Sequence, residues 1–384
     1  MWRQLTINFR QGGDGLLVVG VLFLLSVSLL TIFSTTYQDS AAQRLVWRQA
    51  SFVALGMFLF FLLMCLPAST VQSIVWPLYL LTLLLLTLLF VVAPTIRGTT
   101  AWLPLGIAHL QPAELAKAAL VLAVGRVLAL RKTRQFSYAL FLRAVAIGAL
   151  PVVLVMLQPD FGTAFLLSIT WFGLVCLGGL SRRFLVALVV LLAVAGPLAW
   201  KWMLEDYQRE RILVFLRPET DPLGAGYALR QSLTAIGSGG ILGRGLGHGP
   251  LSQLKFLPER HTDFIFASIG EELGLVGITL VLAAYALVFW RLLAIAARTD
   301  DAFDAYLTLG VFWVLWTGMV VNIGANLGLL PITGVPLPLI SYGGSHLITS
   351  LALLGFAQGV ARRAERWRGV EKEEEAVSLI TQAE

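Results

Sequence analysis

Lys255, Glu259, Arg260, His261 and Asp263 fall within nine residues, and a long apolar run begins immediately after them. Charge is costly where a polar segment enters a membrane, so an ionisable cluster there is a functional hypothesis by default. The chemistry it offers is proton transfer. Asp263 has two readings: it caps the helix that follows, or it is a general base whose pKa is set by its neighbours and partial burial. Glu271 and Glu272 lie about 12 Å further along that helix and on other faces, which suits helix packing or gating. His248 and His261 have no spacing that suggests a zinc site.

A second set lies far away in sequence. Gln111-Pro-Ala-Glu114 reads as a helix start, with proline in the first turn and an acid after it. Glu114 and Lys117 are then i, i+3 neighbours on one face. Lys117 would sit about 5 Å into a span, where it needs a partner or a water-filled cavity. The pair is either a local structural ion pair or part of a site. Gln158-Pro-Asp160 starts another helix in the same way, with Asp160 as an N-cap or as a further polar group in a shared vestibule.

Three loops complete the polar inventory. Asp221-Pro-Leu-Gly-Ala-Gly-Tyr227 reads as a turn leading into a short amphipathic helix. Residues 237–249 are dense in glycine. Successive amides there could form an anion nest or pack flexibly against the bilayer, but the segment lacks the ending and preceding strand of a P-loop. Residues 327–345 are apolar yet carry three prolines and four glycines, which excludes a continuous helix. Such backbone reads as a re-entrant or surface-hugging loop.

The elements that position these groups are transmembrane helices. The chain is 58% hydrophobic and 13% charged, about half the charge of a soluble domain. This excludes a soluble enzyme, and it makes membrane orientation a better account of the net charge of +6 than nucleic-acid binding. Spans of about 20 apolar residues are expected near 15–35, 49–66, 72–93, 113–130, 139–157, 161–180, 184–203, 264–290, 305–326 and 345–361. The fold class is therefore an all-α polytopic membrane protein with about ten helices. A single membrane domain covers 1–361, with one large loop near 204–262, and a tail covers 362–384.

With the long loop 204–262 and Lys201 at its edge set aside, because long loops cross largely regardless of charge, sixteen Lys and Arg residues fall on the side of the termini, against Arg44, Arg48 and Arg97 in the opposite short loops. Both termini are thus expected in the cytoplasm and the Asp263 cluster outside. No cleavable signal peptide is apparent. The tail, basic and then acidic, reads as a solvated and partly disordered end after a basic anchor. Cys65 and Cys176 read as small buried hydrophobes.

These segments together resemble the SEDS family (shape, elongation, division and sporulation) of polytopic peptidoglycan polymerases. The matching pieces include Ala101-Trp-Leu-Pro-Leu-Gly106, Gln111-Pro-Ala-Glu-Leu-Ala-Lys117, Gln158-Pro-Asp-Phe-Gly-Thr163, Phe256-Leu-Pro-Glu-Arg-His-Thr-Asp263, Gly270-Glu-Glu-Leu-Gly274 and Gly334-Val-Pro-Leu-Pro-Leu-Ile-Ser-Tyr-Gly-Gly-Ser345. They run in order through nearly the whole chain. Arg260 within Leu-Pro-Glu-Arg-His-Thr-Asp looks more like the RodA elongation branch than the FtsW division branch. Many relatives carry an acid shortly before Leu-Pro-Glu, where this chain has Lys255.

The resemblance implies ten helices in the bacterial cytoplasmic membrane. It implies a glycosyltransferase that polymerises lipid II into β-1,4 glycan strands, with Asp263 as the catalytic carboxylate. Glu114 and Lys117 would line or support the same cavity; the charge cluster and the second helix start add His261, Glu259 and Asp160 as further candidates for substrate binding or cavity support. Lys117, Arg48, loop arginines or a divalent cation such as Mg²⁺ are candidates to stabilise the leaving pyrophosphate. A class B penicillin-binding protein, the cross-linking transpeptidase, would be the partner. Two rivals remain: a lipid II flippase, which predicts charged groups along the full depth of a pathway, and a non-catalytic scaffold for a cell-wall complex.

Overall fold

A computed structural model describes residues 13–37, 42–92, 101–104, 109–131, 138–179, 186, 190, 209 and 213–383. The expected span 184–203 falls almost wholly outside the described residues, as do Arg3, Arg10 and Arg97. The chain forms α1 (Gly15–Thr36), α2 (Gln43–Met64) and α3 (Ala68–Val92). A two-residue antiparallel pairing of β1 (Leu103–Pro104) with β2 (His109–Leu110) leads into α4 (Pro112–Ala129), followed by α5 (Tyr138–Met156) and α6 (Phe161–Leu177). The large loop holds a 3₁₀ turn at Pro218–Thr220, α7 (Ala225–Ser238) and α8 (Pro250–Gln253). Then come α9 (Ile265–Arg298), α10 (Ala302–Asn326) and α11 (Gly344–Ala383).

Among the described residues, seven helices are long and apolar enough to cross a membrane: α1, α2, α3, α5, α9, α10 and the first part of α11. The apolar α4 and the 17-residue α6 pack beside them. The all-α expectation therefore holds, and eight of the expected spans begin within about six residues of a helix start. The ninth, 345–361, is the first part of a longer helix. α11 runs on to Ala383, so the tail expected to be partly disordered is helical.

Caps set the helix starts. Asp14, Asp160 and Asp301 accept from Leu17 N at 2.9 Å, Thr163 N at 3.1 Å and Asp304 N at 2.9 Å, satisfying amides that a helix N-terminus leaves open. α4 is the central helix. It packs on α3, α5, α6, α10 and α11 and is buried on almost every face. A helix apolar all round suits such a place, and its Ala-Gly composition lets neighbours approach closely. Leucines and phenylalanines on α2 and α3, such as Phe58, Phe61, Leu80 and Leu84, point outward, as lipid contact requires. Cys65 is exposed and Cys176 only partly covered, so neither is the buried hydrophobe the sequence suggested. Cys65 ends α2 at the surface, where Arg362 Nη1 lies 3.3 Å from its sulfur.

α9 is broken at Gly274, which has φ +63° and ψ −162°. In an unbroken helix Leu275 N and Val276 N would donate to the carbonyls of Glu271 and Glu272. The glycine-rich loop replaces both bonds. Arg244 N and Gly245 N donate to the Glu271 and Glu272 carbonyls at 2.9 and 3.0 Å. Leu275 N and Val276 N donate to the Gly240 and Ile241 carbonyls at 2.9 and 3.1 Å. The loop is therefore inserted into the break, and its amides are used by α9 instead of forming an anion nest or a flexible flap on the bilayer. Glycine is needed for the approach: a β-carbon on Gly274 would lie 2.3 Å from the Gly243 amide nitrogen. Gly274→Ala must also hold a left-handed conformation that alanine disfavours. It is expected to cost more than about 1 kcal/mol, seen as a lower melting temperature of the purified chain; an unchanged melting curve would show that α9 can close without the loop.

Glu271 and Glu272 take the packing role. Glu271 accepts from Leu251 N at 2.8 Å and Ser252 N at 2.9 Å, so it caps α8. Glu272 accepts from Ser34 Oγ at 2.5 Å and Gln253 Nε2 at 3.3 Å, which fastens α8 to the end of α1.

Candidate active site at one end of the bundle

The end of α1, the starts of α4, α6, α9 and α11 and the end of α10 meet at one end of the bundle, together with the 327–343 segment. Asp263 sits there, half-buried. It does not cap α9: the N-cap is Phe264, with no side-chain cap bond. The N-cap position of α9 is thus one residue after Asp263. What is fixed instead is the backbone. The Asp263 carbonyl accepts from Asn322 Nδ2 at 2.9 Å and from Asn326 Nδ2 at 2.8 Å. The Thr262 carbonyl accepts from Ser341 Oγ at 2.6 Å, and the His261 carbonyl from Tyr342 N at 2.8 Å. Three successive carbonyls are thus held by α10 and the proline-rich loop.

Asn322 Nδ2 also donates to the Val335 carbonyl at 2.9 Å, and Asn326 Oδ1 accepts from Ala267 N at 3.2 Å. One amide ladder therefore positions both Asp263 and the loop beside it. A β-carbon built on Gly334, whose φ is +75°, would lie 3.7 Å from Asp263 Oδ2. The carboxylate thus lies against that glycine. The loop itself is re-entrant: Leu337, Leu339, Ile340 and Ser341 are buried. Ser28 Oγ donates to the Ile340 carbonyl at 2.6 Å. Gln49 Nε2 donates to the Ser341 carbonyl at 3.3 Å, and Gln49 Oε1 accepts from Gly343 N at the same distance.

The loop's last residues lead to the second set. Ser345 Oγ accepts from Gln111 N at 3.3 Å. His346 then meets the Glu114–Lys117 pair: Lys117 Nζ lies 2.6 Å from Glu114 Oε2, and His346 Nδ1 lies 3.4 Å from the same oxygen and 3.5 Å from Nζ. All three side chains are buried. The four residue steps from Tyr342 to His346 span at most about 14 Å, so Asp263 and the ion pair share one hydrogen-bonded end of the protein. Gln111 Nε2 donates to Asp160 Oδ2 at 3.0 Å, which joins the two Gln-Pro-acid helix starts. Asp160 lies ahead of the α6 span; burial raises its pKa, against the donors Thr163 and Gln111 that lower it.

The other expected residues divide. His261 is tied to α1, with Nδ1 3.0 Å from Thr35 Oγ1, while Arg260 Nε donates to its Nε2 at 3.3 Å. The buried Arg260 also donates to the Ser252 carbonyl. Glu259 is exposed, with φ +43°, and takes a 3.3 Å bond from Thr262 Oγ1. Lys255 and Arg48 are exposed. Arg48 lies on α2 next to Gln49, whose amide makes the contacts to the loop. Among the described residues, no three or more His, Cys, Asp or Glu side chains cluster as a metal site.

The chain matches the family described as cell cycle protein (FtsW/RodA/SpoVE) over residues 13–366. The chain belongs to this family. FtsW/RodA/SpoVE relatives include the peptidoglycan glycosyltransferase MrdB of Escherichia coli (strain K12), 41% identical over 90% of this chain and 93% of that protein. A probable peptidoglycan glycosyltransferase FtsW of Thiomicrospira cyclica is 33% identical over 95% of each chain. A chain from a peptidoglycan synthase complex that coordinates polymerization and crosslinking superposes with TM-score 0.80 at 35% identity, covering 92% of this chain and 98% of its own. The rod shape determining protein RodA of Thermus thermophilus gives 0.67 at 32% identity, covering 91% and 97%. This FtsW/RodA/SpoVE protein is thus a multi-pass membrane protein of a bacterial family, similar over its length to both branches.

At the opposite end of the bundle two acids are buried as well. Arg291 Nε lies 2.8 Å from Asp14 Oδ2, and Arg363 Nη2 lies 2.7 Å from Asp304 Oδ1. Both are held in ion pairs with arginine, which joins α1 to α9 and α10 to α11.

Proposed function

We propose that this chain is a peptidoglycan glycosyltransferase of the elongation branch, which polymerises lipid II with Asp263 as general base. The observation that carries the proposal is the arrangement around Asp263. Three held carbonyls fix its backbone, and the N-cap position of α9 is Phe264. The identity of 41% to a protein named peptidoglycan glycosyltransferase MrdB supports the same reading.

Both termini face the cytoplasm in this proposal, and the Asp263 end faces outward, where a flipped lipid II presents its sugars. Asp263 removes the proton from the acceptor 4-hydroxyl. That oxygen attacks C1 of the donor sugar, the C1–O bond to the polyprenyl pyrophosphate breaks, and the pyrophosphate leaves with the bonding pair. A single displacement inverts C1 and gives a β-1,4 bond from an α-linked donor. General-base help of this kind contributes about 10²–10⁴-fold. Lys117, buried and paired with Glu114, is the cation proposed to steady the pyrophosphate; Arg48, exposed on α2, would have to act from the rim. A divalent cation carried on a pyrophosphate needs only one or two protein carboxylates. The carboxylates at this end that could meet that need are Asp263, Glu114 and Asp160.

The partner in this reading is a class B penicillin-binding protein, in keeping with the solved synthase complex. A flippase would use ionisable groups at both ends, yet Asp14 and Asp304 are bound to arginines that fasten helices together. The test is a gel assay of glycan strands from purified full-length chain and lipid II, with and without the transpeptidase. Strands are expected. No polymer in either case, with labelled lipid becoming protected from an added probe, would overturn the proposal in favour of transport.

A further inference from the structure

His346 is a buried group at this end that the proposed mechanism does not use. It is 6% exposed, and its Nε2 has no hydrogen-bond partner among the described residues. Its Nδ1 faces the Lys117–Glu114 pair from one side, 3.5 Å from Lys117 Nζ and 3.4 Å from Glu114 Oε2. Buried polar atoms are ordinarily paired, so an open ring nitrogen beside a buried ammonium asks for a ligand atom.

Two tautomers fit the neighbours: Nδ1–H donating to the Glu114 carboxylate, which leaves Nε2 an acceptor, and Nδ1 accepting from Lys117, which leaves the proton on Nε2; the proposed site takes the second. Lys117 has three donor hydrogens and no acceptor, and one of them serves Glu114 at 2.6 Å. With Nδ1 accepting from Lys117, the ring proton is on Nε2, which becomes a donor. In that tautomer Nε2–H points to the side of the ring away from Lys117 and can donate to an anionic oxygen there. The carboxylate of Glu114 balances the lysine, so the imidazole adds direction to the site without adding charge.

We propose that His346 Nε2–H is a substrate-binding donor that takes a phosphate oxygen of the polyprenyl pyrophosphate and sets where the lipid-linked sugar sits relative to Asp263. This rests on the glycosyltransferase reading for the identity of the lipid. The place in the fold suits the role. His346 is two residues beyond Gly344, the first residue of α11, so amides of a helix N-terminus lie beside it. Its chain is joined through Tyr342 N to the His261 carbonyl, two residues before Asp263.

Amide side chains separate the two ring nitrogens. Asparagine places its amide near the position of Nδ1, and glutamine near that of Nε2. The binding of undecaprenyl pyrophosphate to the full-length chain in detergent, followed by tryptophan fluorescence, gives a Kd for wild type, His346→Asn and His346→Gln. Melting temperatures confirm that each variant is folded. His346→Asn is expected to weaken binding about tenfold and His346→Gln to stay within about twofold. In strand synthesis from lipid II, His346→Asn is expected to raise KM by a similar factor and leave kcat nearly unchanged.

The reverse order, with His346→Asn like wild type and His346→Gln impaired, would mean that the ring only braces Lys117 and would overturn the proposal. So would equal Kd values for all three proteins. Wild-type strand synthesis in the same preparation separates the two failures. Synthesis with unaltered variants sinks only the role of His346. Undecaprenyl pyrophosphate binding without synthesis by wild type sinks the glycosyltransferase reading and leaves the pyrophosphate site standing.

Discussion

Asp263→Asn is expected to fold and insert as wild type does and to lose polymerisation by about 10²–10⁴-fold. Folding survives because the structure holds this residue by its carbonyl, through Asn322 and Asn326, and α9 does not use the side chain as a cap. The substitution is nearly isosteric, and it removes the one property a base requires. An amide cannot accept the acceptor's proton at neutral pH, while the fixed backbone keeps lipid binding intact. The loss should therefore appear in kcat with KM close to wild type. A variant that melts far below wild type would instead show that the carboxylate is a structural element, and the assignment would fail on stability before activity was considered.

The second large effect concerns the buried pair. Glu114→Ala leaves Lys117 as an uncompensated charge among buried side chains, and breaking a buried pair in this way costs about 3–5 kcal/mol. His346, itself short of a partner at Nε2, supplies no carboxylate to replace Glu114. Replacing both residues, as Glu114→Leu with Lys117→Met, removes the charge with its partner. The double variant is expected to be at least about 2 kcal/mol more stable than Glu114→Ala, because apolar replacements of a buried pair are often neutral. It should still fail to make glycan strands, since the proposed cation is gone. Denaturant melts of the three proteins check the order. If Glu114→Ala falls within the roughly ±0.5 kcal/mol typical of surface changes, the pair is open to water and the site is looser than the distances indicate.

Much of this end was legible because charge is conspicuous against apolar spans. Asp263, Glu114, Lys117 and Asp160 drew notice for that reason, and the bonds from Gln111 to Asp160 and Ser345 join the pieces. The residues that hold the site are neutral. Asn322, Asn326, Ser341 and Gln49 have no charge to betray them, and their partners are mostly tens or hundreds of residues away. The one available signal was two asparagines at i, i+4 near the end of an apolar span.

His346 was missed for a related reason. It follows a motif whose conformation was the point of interest, and its partners lie on another helix. The glycines at 239–245 could be read only as permissive. Their task depends on the backbone that approaches them, here the break at Gly274. Arg48 and Glu259 were placed at the site on charge alone, and the structure leaves both exposed.

The central claim is that the Asp263 carboxylate takes part in bond formation. The most direct test is a single-turnover measurement with purified enzyme in excess over labelled lipid II, which reads the bond-forming step without product release. Asp263→Asn, with lipid II bound as tightly as by wild type, is predicted to form glycosidic bonds about 10²–10⁴-fold more slowly. Bond formation at the wild-type rate by the same variant would contradict the account.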